Sequence, residues 1–165
     1  LALLVREATT NVLRHSTATD AEIALIPSSV LQEFALTKPA LARALWIDTL
    51  IDASIFREWV VNVGRRDSRA RVAHLLCELS LRLEAAGLAS AHHYELPMTQ
   101  EQLADAVGLT SVHVNRVLKQ LGEEGLIRRD RRSITIEDWG RMRAAGDFNE
   151  RYLHHDALNG NAQRG

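Results

Sequence analysis

The apolar positions of this chain follow a helical period over most of its length. Between Pro39 and Gly64, two apolar stripes recur at steps of three and four residues, which is the spacing of one face of an α-helix. Pro39 is expected in the first turn, where its missing N–H costs no hydrogen bond. The apolar face is wider than packing against one neighbour requires. Two interpretations follow: the helix is buried on several sides of one core, or one stripe packs on its own domain and the other on a second subunit. The residues expected at such a subunit interface are Leu50, Ile51, Ile55 and Trp59.

Shorter elements flank this helix. Residues 9–13 and 21–26 are predicted to be strands, and 27–36 a short helix whose N-cap is one of the serines at its start. Two strands and a helix cannot form an independent core, so residues 1–36 are expected to be the end of a larger β domain. After a hinge at 64–68, a helix with a one-sided apolar stripe is expected to begin at an Asp67 or Ser68 cap and to stop at Gly87.

Residues 99–121 have the pattern of two helices joined by a tight turn. Thr99 and Gln102 fit a capping box at the start of the first helix. Ala104, Gly108 and Val114 supply three things: a small residue at the helix crossing, a turn residue that accepts positive φ, and a β-branched side chain between the helices. Together they predict a helix-turn-helix.

A basic hairpin is predicted to follow. Residues 126–129 and 133–136 have the composition of two strands around Asp130 and Arg131, and Asp138 is expected to open a short helix. A helix-turn-helix followed by a hairpin is a winged helix. The fold class expected is mainly α with small β parts (α+β). The predicted segments are 1–36, the dimerisation helix at 37–63, the winged helix at 64–158 and a disordered tail at 159–165.

Composition excludes several function classes. The chain has 165 residues, of which 46% are hydrophobic and 25% charged, which argues against global disorder. The single cysteine, Cys77, excludes an intramolecular disulfide, a thiolate zinc site and a four-cysteine iron–sulfur cluster. The adjacent pairs His92–His93 and His154–His155 point apart, so solvated loop histidines are expected instead of a metal site. No nucleophile motif, phosphate loop or membrane-length apolar run occurs, and a non-enzymatic cytoplasmic protein is expected.

Cations are concentrated on the second helix of the helix-turn-helix and on the hairpin, an arrangement that suits the phosphates of duplex DNA. A solvated charged turn beside two packed helices is the alternative. Arg116 is the best candidate for reading a guanine, with a phosphate contact as its alternative role. The residues expected to face bases are Ser111, Val112, His113 and Arg116. The residues expected to contact phosphates are Thr99, Thr110, Lys119, Arg128, Arg129, Arg131 and Arg132.

At these residues the chain resembles the Crp/Fnr family of bacterial transcription regulators. The most specific run is Gly108 to Leu118 (GLTSVHVNRVL), which is similar to the family's recognition helix. Residues 62–67, 71–79 and 96–100 are similar to its hinge and to the first part of its DNA-binding domain. By this resemblance, residues 1–36 correspond to the end of a β-roll of the cyclic-nucleotide-binding type and 37–63 to the dimerisation helix.

The resemblance implies a homodimer that binds double-stranded DNA at a pseudo-palindromic operator, with RNA polymerase as a further candidate partner. Family members that bind cyclic AMP carry an Arg-Ser or Arg-Thr pair where this chain has Thr10-Asn11-Val12, and oxygen-sensing members need several cysteines. Cyclic AMP and an iron–sulfur cluster are therefore disfavoured, no cofactor is expected in this chain, and the effector is unassigned. Many members carry Glu where this chain has Val112, so a different half-site is expected. The alternative function is a dimeric protein-interaction module whose winged helix does not bind DNA.

Overall fold

The computed structural model describes residues 26–154. The predicted strand at 9–13, all but the last residue of the predicted strand at 21–26, the Thr10-Asn11-Val12 stretch and the tail at 159–165 lie outside the described residues. The chain divides into two compact units, Leu1–Asp48 and Thr49–Gly165. None of the helices within residues 26–154 is long and apolar enough to span a membrane.

The helices are α1 (Ser28–Thr37), α2 (Pro39–Arg65), α3 (Ser68–Ala85), α4 (Gln100–Val107), α5 (Ser111–Glu123), α6 (Trp139–Ala145) and a 3-10 helix (Glu150–Leu153). The strands are β1 (His93–Glu95), β2 (Ile127–Asp130) and β3 (Ser133–Ile136).

The predicted class, helices with a small sheet, is confirmed. In the first unit, α1 begins after Pro27, and no side chain caps it. The expected serine cap is therefore wrong, because Ser28 and Ser29 are already helical. Pro39 opens α2 as predicted.

Helix α2 continues through Gly64 to Arg65, so the predicted hinge shortens to Arg66 and Asp67. The cause is the side chain of Arg66, which is buried and donates to Glu58 Oε1 at 2.6 Å and to the Asp147 carbonyl at 2.9 Å. These contacts hold the last turn of α2 against the winged helix. The cost of a helical glycine, about 1 kcal/mol, is no larger than the contribution of one hydrogen bond to a charged group, about 1.5–3 kcal/mol.

Helix α3 is the centre of the winged helix. Asp67 Oδ1 accepts from the backbone N–H of Ala70 at 2.8 Å, which confirms one of the two predicted caps. All residues from Val72 to Glu78 are buried, so the expected one-sided stripe is wrong. The second side of α3 is covered by α6 and by the segment that follows it, where Phe148, Tyr152 and Leu153 are buried.

The sheet is antiparallel, with the strand order β1–β3–β2. Strands β2 and β3 form the predicted hairpin, hereafter the wing, with Arg129 opposite Ile134. Its tip residue Arg131 has φ 50°. On the other edge of β3, Tyr94 of β1 faces Ile134 and donates from its buried hydroxyl to the Leu76 carbonyl at 2.8 Å. The sheet is thereby fixed to α3.

Cys77 and His92 have structural roles. Burial raises the pKa of the Cys77 thiol to about 12, so the thiol stays protonated and unreactive. His92 is not a solvated loop residue as expected, because its ring stacks on Trp139 at 4.1 Å and its Nδ1 lies 3.0 Å from Ser80 Oγ. Within residues 26–154, no group of three His, Cys, Asp or Glu side chains could hold a metal ion.

A buried polar cluster, formed by Trp59, His74, Glu78 and Tyr152, joins α2, α3 and the 3-10 helix. Trp59 Nε1 donates to Glu78 Oε1 at 3.3 Å, and the Tyr152 hydroxyl donates to Glu78 Oε2 at 2.7 Å. His74 Nε2 lies 3.0 Å from Tyr152 Oη. Burial, reinforced by nearby Arg66, lowers the pKa of His74, and burial together with Glu78 raises the pKa of Tyr152. The cluster fixes the end of α2 on the winged helix.

Candidate nucleic-acid interface

The helix-turn-helix has the geometry that its sequence predicts. Gln102 N–H donates to Thr99 Oγ1 at 3.2 Å and Thr99 N–H to Gln102 Oε1 at 2.8 Å, which completes the capping box. Gly108 ends α4 at φ 64°, a backbone conformation that favours glycine. Ala104 and Val114 are buried where the two helices meet. The turn therefore sets the angle at which α5 leaves the domain.

Thr99 and Thr110, two of the predicted phosphate contacts, are the N-caps of α4 and α5. Thr110 Oγ1 accepts from His113 N–H at 3.3 Å. Each hydroxyl oxygen is used as an acceptor in its cap, so each hydroxyl hydrogen can still donate to a phosphate oxygen. Both positions are exposed, and their phosphate role remains a prediction.

Helix α5 presents one face to the core and one to the outside. Its buried residues are Val114, Val117, Leu118 and Leu121. Val112, Arg116 and Lys119 fall within about 60° of one another on the opposite face, at about 100° per residue. Val112 is 72% exposed, Ser111 is exposed and His113 is half-buried. An open groove follows this face, lined by Val112, Asn115, Arg116, Leu118, Lys119, Gly122, Glu123 and Arg129.

The predicted cations differ in how they are already paired. Arg128 donates to Glu137 Oε1 at 2.7 Å, Arg132 donates to the Leu96 carbonyl at 3.3 Å, and Arg129 donates to Asn115 Oδ1 at 3.3 Å. Lys119 lies 3.5 Å from Glu123, an exposed pair that water and salt screen.

Arg116 and Arg131 have no side-chain hydrogen bond or ion pair within the described part of the chain. One lies on α5 and the other at the tip of the wing. These two guanidinium groups are the most available to a ligand, since binding would break no existing contact.

The predicted interface residues of α2 do not share one environment. Leu50 is 54% exposed, whereas Ile51 is buried and both Ile55 and Trp59 pack against the core of the winged helix. Three of the four expected subunit contacts are therefore covered by the chain itself. Both stripes are apolar, so hydrophobicity alone does not distinguish them, and the residues of the subunit interface stay a prediction.

Two polar residues beside this surface were not among the predicted site residues. Asn115 of α5 and Gln100 of α4 both contact Arg129. Neither is apolar or charged, so neither periodicity nor charge indicates it. The only available signal was that Asn115 precedes Arg116 on an exposed helix.

Comparison with known proteins agrees with this geometry. A family model described as the Crp-like helix-turn-helix domain matches residues 70–145. A "Probable transcriptional activator" of Rhizobium leguminosarum bv. viciae is 33% identical over 135 residues, covering 81% of this chain and 55% of that protein. The transcriptional activator protein FnrL of Cereibacter sphaeroides is 31% identical over 121 residues, covering 70% of this chain and 49% of that protein.

The structure of FixK2 from Bradyrhizobium japonicum matches with a TM-score of 0.65 and 29% identity, covering 73% of this chain and 59% of that chain. The present chain thus spans about half the length of the curated relatives it matches. Those relatives are named as transcriptional activators and not as enzymes. Residues 70–145 are therefore a Crp-like helix-turn-helix domain, and the chain belongs to the Crp/Fnr family.

Proposed function

We propose that this chain is the DNA-binding and dimerising part of a transcription regulator and that it binds a pseudo-palindromic operator. The observation that carries the proposal is the outer face of α5, where Arg116, unpaired within residues 26–154, and the exposed Val112 lie beside the wing. The major groove of B-DNA admits an α-helix. The N-terminal turns of α5 then face bases, with Arg116 toward the O6 and N7 of a guanine and Val112 toward a thymine methyl.

The same face argues against the alternative, a winged helix that binds another protein. Protein interfaces have an apolar centre, whereas Val112 is the one large apolar side chain exposed on α5, and its neighbours are Asn115, Arg116 and Lys119. Arg131 adds a cation at the wing tip that has no partner in the described part of the chain. Positive charge around a single apolar contact favours a nucleic acid.

The first prediction separates base reading from phosphate binding. A duplex is selected by this chain from a random-sequence pool, and a scrambled duplex serves as its control. Arg116→Ala should reduce the binding free energy for the selected duplex by on the order of 1–3 kcal/mol and should flatten the preference at one base pair. Arg131→Ala should weaken binding to both duplexes alike and lower the salt slope by roughly one unit per subunit. Fluorescence anisotropy titrations at several salt concentrations measure both.

Equal losses on the two duplexes would make Arg116 a phosphate contact instead of a base reader. Absence of salt-dependent binding by the unmutated chain would contradict DNA binding itself and favour the interaction module.

Dimerisation is proposed through the face of α2 that the winged helix leaves uncovered. Phe56 is 71% exposed and Val60 is 72% exposed, and the two lie about 40° apart around the helix axis. Residues Ile55 and Trp59, which pack on the core, lie on a different side of the helix. This division supports the second interpretation of the wide apolar face: one stripe packs within the chain, and the other meets a second copy.

The second prediction tests that interface. Val60→Asp should place a charge in the interface and yield monomers at micromolar concentration, as measured by sedimentation equilibrium. Asp105→Lys, which changes the charge at an exposed position of α4, should leave the oligomeric state unchanged. Asp at Ile51 or Ile55 is unsuitable, because those side chains are covered within the chain. A monomeric unmutated chain at that concentration would contradict the proposal.

Two broader expectations follow from the proposed function. Because the matched relatives are named as activators, RNA polymerase is the proposed further partner. A cytoplasmic location is proposed because a regulator of this kind must reach the chromosome.

A further inference from the structure

The side chain of Arg129 joins three elements of the winged helix. It extends from β2 and donates from Nη1 to Asn115 Oδ1 of α5 at 3.3 Å. With the Gln100 amide placed so that its oxygen faces the guanidinium, Gln100 Oε1 of α4 lies 3.1 Å from Nη1 and 2.5 Å from Nη2. The Nε of Arg129 donates to the Arg131 carbonyl at the wing tip at 3.4 Å.

These contacts use most of the hydrogen-bond donors of the Arg129 guanidinium. Arginine has five N–H groups in a planar fork, and four of them have acceptors here. Arg131, two residues away, has none for its side chain within residues 26–154. Arg129 is therefore already bound between α4, α5 and the wing, while Arg131 is available. The two arginines were predicted to be equivalent phosphate contacts, and their surroundings differ.

The contact also fixes what Asn115 can offer. A free asparagine amide can turn over and present either its oxygen or its NH₂ group. Because Arg129 donates to Oδ1, the oxygen is held toward the wing, and the NH₂ group is left as the hydrogen-bonding group for a ligand. Asn115 is exposed and lines the same groove as Arg116.

Such an amide reads DNA differently from a free one. Asparagine usually recognises adenine by accepting from N6 and donating to N7 at the same time. Because Arg129 holds Asn115 Oδ1 toward the wing, the amide presents its NH₂ group to a base and cannot turn both its oxygen and its nitrogen to one adenine. Acceptors in the major groove are the O6 and N7 of guanine, the N7 of adenine and the O4 of thymine.

We propose that Arg129 is a positioning residue that ties the wing to both helices of the helix-turn-helix and holds Asn115 as a hydrogen-bond donor toward one base of the half-site. Asn115 is then a specificity-determining residue that acts beside Arg116. This inference rests on the proposed function, since it assigns roles within the same DNA interface.

A double-mutant cycle tests the dependence of one residue on the other. Asn115→Ala and Arg129→Ala should each weaken binding to the selected duplex about fivefold per half-site, the worth of one neutral hydrogen bond. The double variant should be no weaker than either single one, because Arg129 acts through Asn115. Asn115→Ala should also flatten the preference at one base pair in a repeated selection.

Arg129→Lys provides the variant that separates positioning from charge. A phosphate contact tolerates lysine, whereas a planar fork that meets several acceptors does not. Arg129→Lys should therefore lose the same specificity as Arg129→Ala, and its salt slope should equal that of the unmutated chain. Arg131→Ala serves as the matched control, and its slope should fall by roughly one unit per subunit. A cooperative thermal transition well above the assay temperature shows that each variant is folded.

The result that overturns the proposal is an Arg129→Ala variant that weakens both duplexes alike with a reduced salt slope, because this is the behaviour of a phosphate contact. Additive losses in the double variant overturn it as well. Failure of the proposed function looks different, since then the unmutated chain shows no salt-dependent binding to either duplex, and both proposals fall together.

Discussion

Replacing Gly146 with alanine should destabilise the folded chain by about 3 kcal/mol, the upper range for forcing extra atoms into a packed core. A Cβ at this position would lie 2.7 Å from the backbone nitrogen of His74 and 3.0 Å from the Ala73 carbonyl carbon. These atoms belong to the backbone of α3, which cannot move aside as a flexible side chain can. The segment after α6 would have to lift from α3 and uncover Phe148 and Tyr152. Urea unfolding followed by circular dichroism measures the loss.

Gly140→Ala is the matched control for this prediction. Gly140 lies in α6 itself, where a Cβ would meet Asp138 Oδ1 at 3.6 Å, an ordinary van der Waals contact. Alanine is the better helix former by up to about 1 kcal/mol, so this variant should be as stable as the parent or more stable. Parent-like stability of Gly146→Ala would show that α6 does not approach α3 so closely.

The parts of the fold that follow from local chemistry were predicted from the sequence. The capping box at Thr99, the left-handed turn at Gly108 and the buried Val114 depend on residues within a few positions of each other. The hairpin of the wing is equally local. For such elements, the interactions that fix the backbone are present in the segment itself.

Contacts between distant segments could not be predicted in this way. Helix α2 has two apolar stripes, and hydrophobicity alone does not say which one packs on the winged helix. Tyr152 lies 78 residues from His74 along the chain and 74 from Glu78, and it meets both. This contact explains why α3 is buried all round, although its sequence predicts one apolar face.

The sequence predicted the residue types of the site but not the hydrogen-bond partner of each side chain. A count of cations predicts a DNA-facing surface at α5 and the wing, but it treats Arg128, Arg129, Arg131 and Arg132 as equivalent. Their partners come from other elements, as with Glu137 on Arg128 and Leu96 on Arg132. Only the folded chain shows that Arg131 is the unpaired one within the described residues.

Glu78 is the side chain on which the buried polar cluster depends. It is only 2% exposed, and its two oxygens accept from Trp59 of α2, Tyr152 of the 3-10 helix and Arg82 of α3. Trp59 and Tyr152 are buried or half-buried, while the side chain of Arg82 is 53% exposed. The Glu78 carboxylate thus has two partners in the core and one, Arg82, at the surface.

Glu78→Ala should destabilise the chain by about 3 kcal/mol, because it leaves the Trp59 N–H without an acceptor in the core and removes the partner of the Tyr152 hydroxyl. Glu78→Gln keeps one carbonyl oxygen as an acceptor, and its free energy of unfolding should fall by about 1 kcal/mol. Arg82→Ala removes only the exposed partner and should stay within about 1 kcal/mol of the parent. Urea unfolding at pH 7, monitored by tryptophan fluorescence, compares the three variants. Equal losses for Glu78→Ala and Arg82→Ala would mean that the carboxylate contributes through its exposed ion pair and that the buried cluster does not hold α2 on the winged helix.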